Sequence, residues 1–132
     1  MITYPVERLR PELAQVPETL LWPLLSRAGL SVAERGWFDD PIAVELFNRI
    51  DYDFNRFGKL TPWHALRART SDAAIRDYLA RWPDAQVLAL GEGLETQFWR
   101  IDNGAVRWLS VDLPETIALR QKLLPAHPRL RH

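Results

Sequence analysis

Two short segments carry residues whose types and spacing can do chemistry. The first is Gly91-Glu92-Gly93, directly after the apolar run Gln86-Val87-Leu88-Ala89-Leu90. The second is Asp112, 21 positions beyond Gly91, at the end of the alternating run Val106 to Val111. A glycine straight after a strand allows a sharp turn. A second glycine removes a side chain where a ligand can lie against the backbone. A carboxylate at the tip of the next strand can accept hydrogen bonds from both hydroxyls of a ribose. The pattern is that of a site for a nucleoside-containing cofactor.

Neighbouring residues narrow the choice. A dinucleotide fingerprint asks for a third glycine, and position 96 is Thr96. Glu92 and Glu95 stand at the expected start of the following helix, whose N-terminus has a partial positive charge. Two carboxylates there supply negative charge and would repel a diphosphate. S-adenosylmethionine has a sulfonium, an ammonium and an adenosine, and no phosphate. It therefore suits this loop better than NAD. No Lys-Ser or Lys-Thr follows the glycines, which sets aside a P-loop.

The elements that must position these residues can be read from apolar spacing. Before residues 81–85 the spacing is helical, and after them strands and helices alternate. A first helix is expected from Pro17 to Thr19 onward, with Leu21, Leu24, Leu25 and Ala28 on one face and Gly29 as its stop. Asp40-Pro41 reads as a cap and first residue of a second helix bearing Ile42, Leu46, Phe47 and Ile50. Residues 51–59 read as a loop. Thr61-Pro62 opens a third helical region with Trp63, Leu66, Ile75, Tyr78, Leu79 and Trp82 as its buried face, and with a break expected near Arg69 and Thr70. Strand, helix over 94–101, strand and a helix opened by Pro114 follow. This is the start of a parallel α/β sheet, so the chain divides into a helical region, 1–84, and the start of a nucleotide-binding core, 85–132.

Leu90-Gly91-Glu92-Gly93-Leu94-Glu95-Thr96-Gln97-Phe98-Trp99-Arg100, followed by Val111-Asp112-Leu113-Pro114-Glu115, resembles the leucine carboxyl methyltransferase-like, polyketide O-methyltransferase-like group of class I methyltransferases. Glu18-Thr19-Leu20-Leu21, Asp40-Pro41 and Ala68-Arg69-Thr70 extend the resemblance from about Pro17 onward. It implies a Rossmann-like core, S-adenosylmethionine as cofactor and methyl transfer to a carboxylate or hydroxyl oxygen of a small molecule. It implies cofactor binding by Gly91, Glu92, Gly93, Asp112 and Leu113. Arg69 is the arginine expected to hold the cofactor's carboxylate, with Arg67 as the fallback. Gln97 stands where the group commonly has arginine, and Glu95 where it commonly has aspartate.

Family members are longer. Two strands leave the sheet incomplete, with open edges that invite self-association. A fragment, a truncated gene product and a sheet completed by a second copy are three expectations for this. A non-catalytic interaction module is the alternative function, and no catalytic base is assignable.

Composition excludes other classes. The chain has 132 residues, of which 47% are apolar and 26% charged, so global disorder is excluded. Seventeen basic residues balance seventeen acidic ones, which disfavours a nucleic-acid binder. There is no cysteine, hence no disulfide scaffold, thiolate zinc site or cysteine nucleophile, and the cytoplasm is the expected compartment. No apolar run reaches the roughly 18 residues of a membrane helix, and residues 1–10 lack the apolar stretch of a secretory signal. Asp51-Tyr52-Asp53 reads as a solvated loop rather than a metal site, and the three histidines lack ligand spacing. No Gly-x-Ser-x-Gly elbow marks a serine hydrolase. Trp22, Trp63 and Trp82 read as core, and Arg120, Lys122, Arg129 and Arg131 as favourable charge at a helix end.

Overall fold

Residues 8–11, 18–34 and 36–132 are described by a computed structural model. The expected helix start at Pro17 and the first seven residues lie outside them. A 3-10 turn over Glu18–Leu20 leads into α1, Leu21–Ala33, and α2 spans Pro41–Arg49. A second 3-10 turn at Phe54–Phe57 precedes α3, Trp63–Arg81. Then come β1, Gln86–Leu90; α4, Gln97–Ile101; β2, Arg107–Val111; α5, Pro114–Leu123; and β3, Leu130–Arg131.

The three strands form one parallel sheet in the order β1-β2-β3. β1 and β2 pair from Gln86 opposite Arg107 to Leu90 opposite Val111. The third strand lies in what reads from sequence as a tail after Pro125, because two residues are too short for a strand pattern. The chain is α/β, with the open parallel sheet expected of a Rossmann-like core. Among the described residues no helix is long and apolar enough to cross a membrane.

The N-terminal helices follow local chemistry. Asp40 accepts from the backbone N–H of Ala43 at 3.0 Å, and Pro41 fills the first position, where its missing N–H costs nothing. Gly29 does not stop α1, which runs on to Ala33. A Cβ at Gly29 would meet the Leu60 side chain at 2.8 Å, so this glycine permits a close approach instead.

The third helix departs most from expectation. It is unbroken, and its buried positions are Ala65, Ala68, Asp72 and Leu79, with Ile75 half-buried. Trp63, Leu66, Tyr78 and Trp82 are exposed. Apolar size misleads here because two alanines and a carboxylate make the closest contacts. The buried tryptophan is Trp108, on β2.

Of the three buried clusters among the described residues, two hold the layers together. One joins Leu21, Leu24, Leu46 and Ile50 to Leu94, Leu119 and Leu123, so it crosses residue 84. The other packs Leu79, Phe98, Ile101 and Leu130 around Trp108 on the sheet. Replacing buried Phe98 by alanine should cost about 3–5 kcal/mol in urea unfolding. Tyr78→Ala, on the exposed face of α3, should stay within about 0.5 kcal/mol of the parent.

Candidate cofactor site

The site is built at the C-terminal ends of β1 and β2. The backbone N–H of Gly91 donates to Val111 O at 2.8 Å, continuing the β1–β2 ladder by one residue. The chain then turns through Gly91 at φ 62° and Gly93 at φ 57°, conformations that a side chain would strain. A Cβ at Gly91 would meet nothing within 4 Å, whereas one at Gly93 would lie 3.5 Å from Leu20 Cβ. The turn thus needs Gly91 for its backbone, and Gly93 for its backbone beside the N-terminal 3-10 turn.

Asp112 is set against this loop. Its Oδ2 accepts from the N–H of Gly93 at 2.8 Å, and its Oδ1 accepts from the N–H of Leu113 at 2.7 Å. Both bonds fix the carboxylate, and each oxygen keeps capacity for a further donor. Among the described residues Asp112 has no ion-pair partner.

Gly91, Glu92, Gly93, Asp112 and Leu113 line one cavity of about 280 Å³. Thr19, Leu20, Pro23, Arg27 and Arg67 close it from the helical side. Arg69 does not line it. Its guanidinium lies over the Trp37 ring, 5.1 Å from the centroid. Two residues on a helix lie about 200° apart in azimuth, so Arg67 and Arg69 cannot both face the cavity. Arg67 does, and among the described residues it has no ion pair or side-chain hydrogen bond.

Glu92 and Glu95 are not free charges facing a ligand. Glu92 pairs with Arg120 at 2.9 Å and accepts hydrogen bonds from Ser110 and from Trp108 Nε1. Burial pushes its carboxyl above the usual range, with Arg120 opposing the shift. Glu95 pairs with Arg100 at 2.7 Å and Arg27 at 3.3 Å. Burial works against its charge, but the two guanidinium groups overcome it and hold its pKa below the usual range. Moreover α4 starts at Gln97, so neither carboxylate sits in its first turn. Both carboxylates line the cavity, and each is paired with a buried arginine.

Their partners are what the sequence hides. Arg120, which reads as helix-end charge, is 1% exposed. It donates to Gly93 O at 2.6 Å and Glu95 O at 3.0 Å, so it ties α5 to the glycine loop from beneath. Arg100 donates to Asp72 from Nε and Nη2, and to Asp40, Glu95 and Thr96 from Nη1. Burial works against its charge, and the bonds to Asp72 with the fields of Glu95 and Asp40 overcome it, raising its pKa. Gln97 Nε2 adds a bond to Asp72 at 2.8 Å. It supplies a donor there without a second cation. Arg27 lies beside Asp40 at 3.4 Å and donates to Leu94 O at 2.9 Å. The only sequence signal for this network is the count of charged residues on apolar helix faces.

In the Asp51-Tyr52-Asp53 segment, Asp53 caps the second 3-10 turn through the N–H of Asn55. Tyr52 donates to Glu18, which also pairs with Arg56 at 2.7 Å. This anchors the turn that carries Thr19 and Leu20 over the cavity.

Residues 20–131 match the family model of leucine carboxyl methyltransferase. The tetracenomycin polyketide synthesis O-methyltransferase TcmP of Streptomyces glaucescens is 41% identical over 117 residues. That alignment covers 86% of this chain and 43% of TcmP, so the chain spans less than half the length of that relative. No solved structure matches the chain significantly.

The network makes a signed prediction. Arg100→Met leaves Asp40, Asp72 and Glu95 short of a cation and should cost about 3–5 kcal/mol at pH 7 in urea unfolding. In the parent, Glu95 has a lowered pKa, so its contribution is present above the ordinary carboxylate range and is lost as pH falls. In Arg100→Met burial without that cation favours the protonated acid. The stability deficit should therefore shrink between pH 7 and pH 5. A deficit that is equal or larger at pH 5 would contradict this account.

Proposed function

The chain belongs to the leucine carboxyl methyltransferase family, and from that premise we propose that its glycine-loop cavity binds S-adenosylmethionine for methyl transfer to an oxygen of a small molecule. The observation that carries the reading is the convergence of Gly91, Gly93 and Asp112 in one cavity, with Arg67, which has no ion pair among the described residues, in the same lining. The donor set suits this cofactor. Asp112 has spare acceptor capacity for ribose hydroxyls. Leu113 offers an apolar wall for a base. Arg67 matches the cofactor's carboxylate, taking the part that the sequence assigns to Arg69. Gly91 and Gly93 let the backbone approach, and Glu92 with Arg120 holds the loop in that form.

S-adenosylmethionine, held by Asp112, Arg67 and the backbone of the glycine loop, would supply an activated methyl group for transfer to an acceptor oxygen. The protein's task is to align donor and acceptor. A carboxylate acceptor needs no base, and a hydroxyl acceptor needs one. The oxygen as acceptor atom is supported by the printed name of TcmP, an O-methyltransferase. We read residues 1–84 as a cap on the core of 85–132, since both contribute cavity walls. A cytoplasmic setting is our reading, and the lack of cysteine is compatible with it.

Equilibrium dialysis against S-adenosylhomocysteine tests the assignment. Asp112→Ala should weaken binding about 10–100-fold, the loss of hydrogen bonds to a charged group. Arg67→Ala should also weaken it, and Arg69→Ala should leave it unchanged. Unaltered binding in Asp112→Ala, or NADH competing for the site, would overturn the reading.

A further inference from the structure

Two members of the buried charge network, Arg27 and Glu95, also line the glycine-loop cavity. The network sets three carboxylates, Asp40, Asp72 and Glu95, against two guanidinium groups, Arg27 and Arg100. Among the described residues no further cation pairs with these carboxylates, and Gln97 brings Asp72 a donor without a charge. The formal count leaves one negative charge in excess, which is costly away from water. Asp40 and Asp72 are 1 and 3% exposed. The Glu95 side chain is 20% exposed and stands in the cavity wall. The cation that the network lacks can therefore reach it at Glu95.

Glu95 is paired but not saturated. Its Oε1 accepts from the Thr96 N–H at 2.8 Å and from Arg100 Nη1 at 2.7 Å. Its Oε2 accepts no hydrogen bond from a described residue. Arg27 Nη1 stands 3.3 Å from Oε2, but the hydrogen bond of that guanidinium goes to Leu94 O at 2.9 Å. Arg27 Nε is buried and makes no hydrogen bond. Arg27 thus attracts Oε2 by charge and leaves its acceptor capacity open. Glu92, in the same lining, is balanced one to one by Arg120.

The chemistry of the missing cation follows. A sulfonium has charge but no N–H. An ammonium has three N–H donors, which match an open carboxylate oxygen. Arg67, in the same lining, matches a carboxylate. The amino-acid end of S-adenosylmethionine carries an ammonium and a carboxylate on one carbon. We propose that Glu95 anchors the ammonium of this end and so makes the site specific for a ligand with a free α-amino group. The inference rests on the cofactor reading above and adds a residue to it.

Equilibrium dialysis of the 132-residue chain compares S-adenosylhomocysteine with its analogue that has hydrogen in place of the amino group. The parent should bind S-adenosylhomocysteine at least about tenfold more tightly, the scale of a hydrogen bond between charged groups. Glu95→Gln keeps the size of the side chain and removes its charge. It should weaken S-adenosylhomocysteine at least about tenfold and leave the analogue within about twofold, so that the preference vanishes. Glu95→Asp keeps the charge and should retain part of the preference. Asp112 is the rival acceptor, and Asp112→Asn should weaken both ligands by similar factors. Urea unfolding checks that each variant is folded. Should Glu95→Gln fail to fold, the preference must still persist in Asp112→Asn. Equal binding of the two ligands by the parent, an equal loss of both in Glu95→Gln, or a preference that disappears in Asp112→Asn would overturn this inference and leave the cofactor reading standing. A folded parent that binds neither ligand would overturn the cofactor reading, and this inference with it.

Discussion

Burying a guanidinium requires partners to replace water, and Arg100 finds them on three separate segments: Asp40 before α2, Asp72 on α3 and Glu95 in the glycine loop. Arg27 on α1 adds a second cation beside two of these carboxylates, Asp40 and Glu95. Each partner is useful only in the folded arrangement, because a lone charge at any of these positions would be costly. The network therefore fixes how the helices sit against the loop. Arg120 repeats the device from the other side, through Glu92 and the carbonyls of Gly93 and Glu95. The loop is held between two sets of arginines, and its open side is the cavity.

The charged groups that line the cavity differ in how they are engaged. Glu92 and Glu95 are paired with arginines. Among the described residues Asp112 and Arg67 have no ion pair, and Asp112 is fixed by backbone N–H groups.

Much of the fold was legible where local chemistry decides it. Asp40-Pro41 caps its helix as the residues predict, and Gln86 to Leu90 and Arg107 to Val111 pair as parallel strands. The misreadings share one cause. Ala65, Ala68 and Asp72 bury a helix face that size and hydropathy assign to Trp63, Leu66 and Tyr78. Arg27, Arg100 and Arg120 look like surface charges, since their carboxylate partners lie up to 68 residues away. That Arg67 lines the cavity and Arg69 lies over Trp37 depends on the azimuth of α3, which spacing left open because the helix was expected to break there. β3 was invisible because its two residues gain strand geometry only from pairing with β2.

The central claim is that the glycine loop and Asp112 form a working cofactor site. Amide chemical shifts of the isotope-labelled chain, recorded during titration with S-adenosylhomocysteine, test it most directly. The account predicts saturable shifts concentrated at Gly91, Gly93, Asp112 and Leu113, with the amides around Arg69 unmoved. A folded chain whose loop amides stay in place, or whose shifts gather elsewhere, would contradict it.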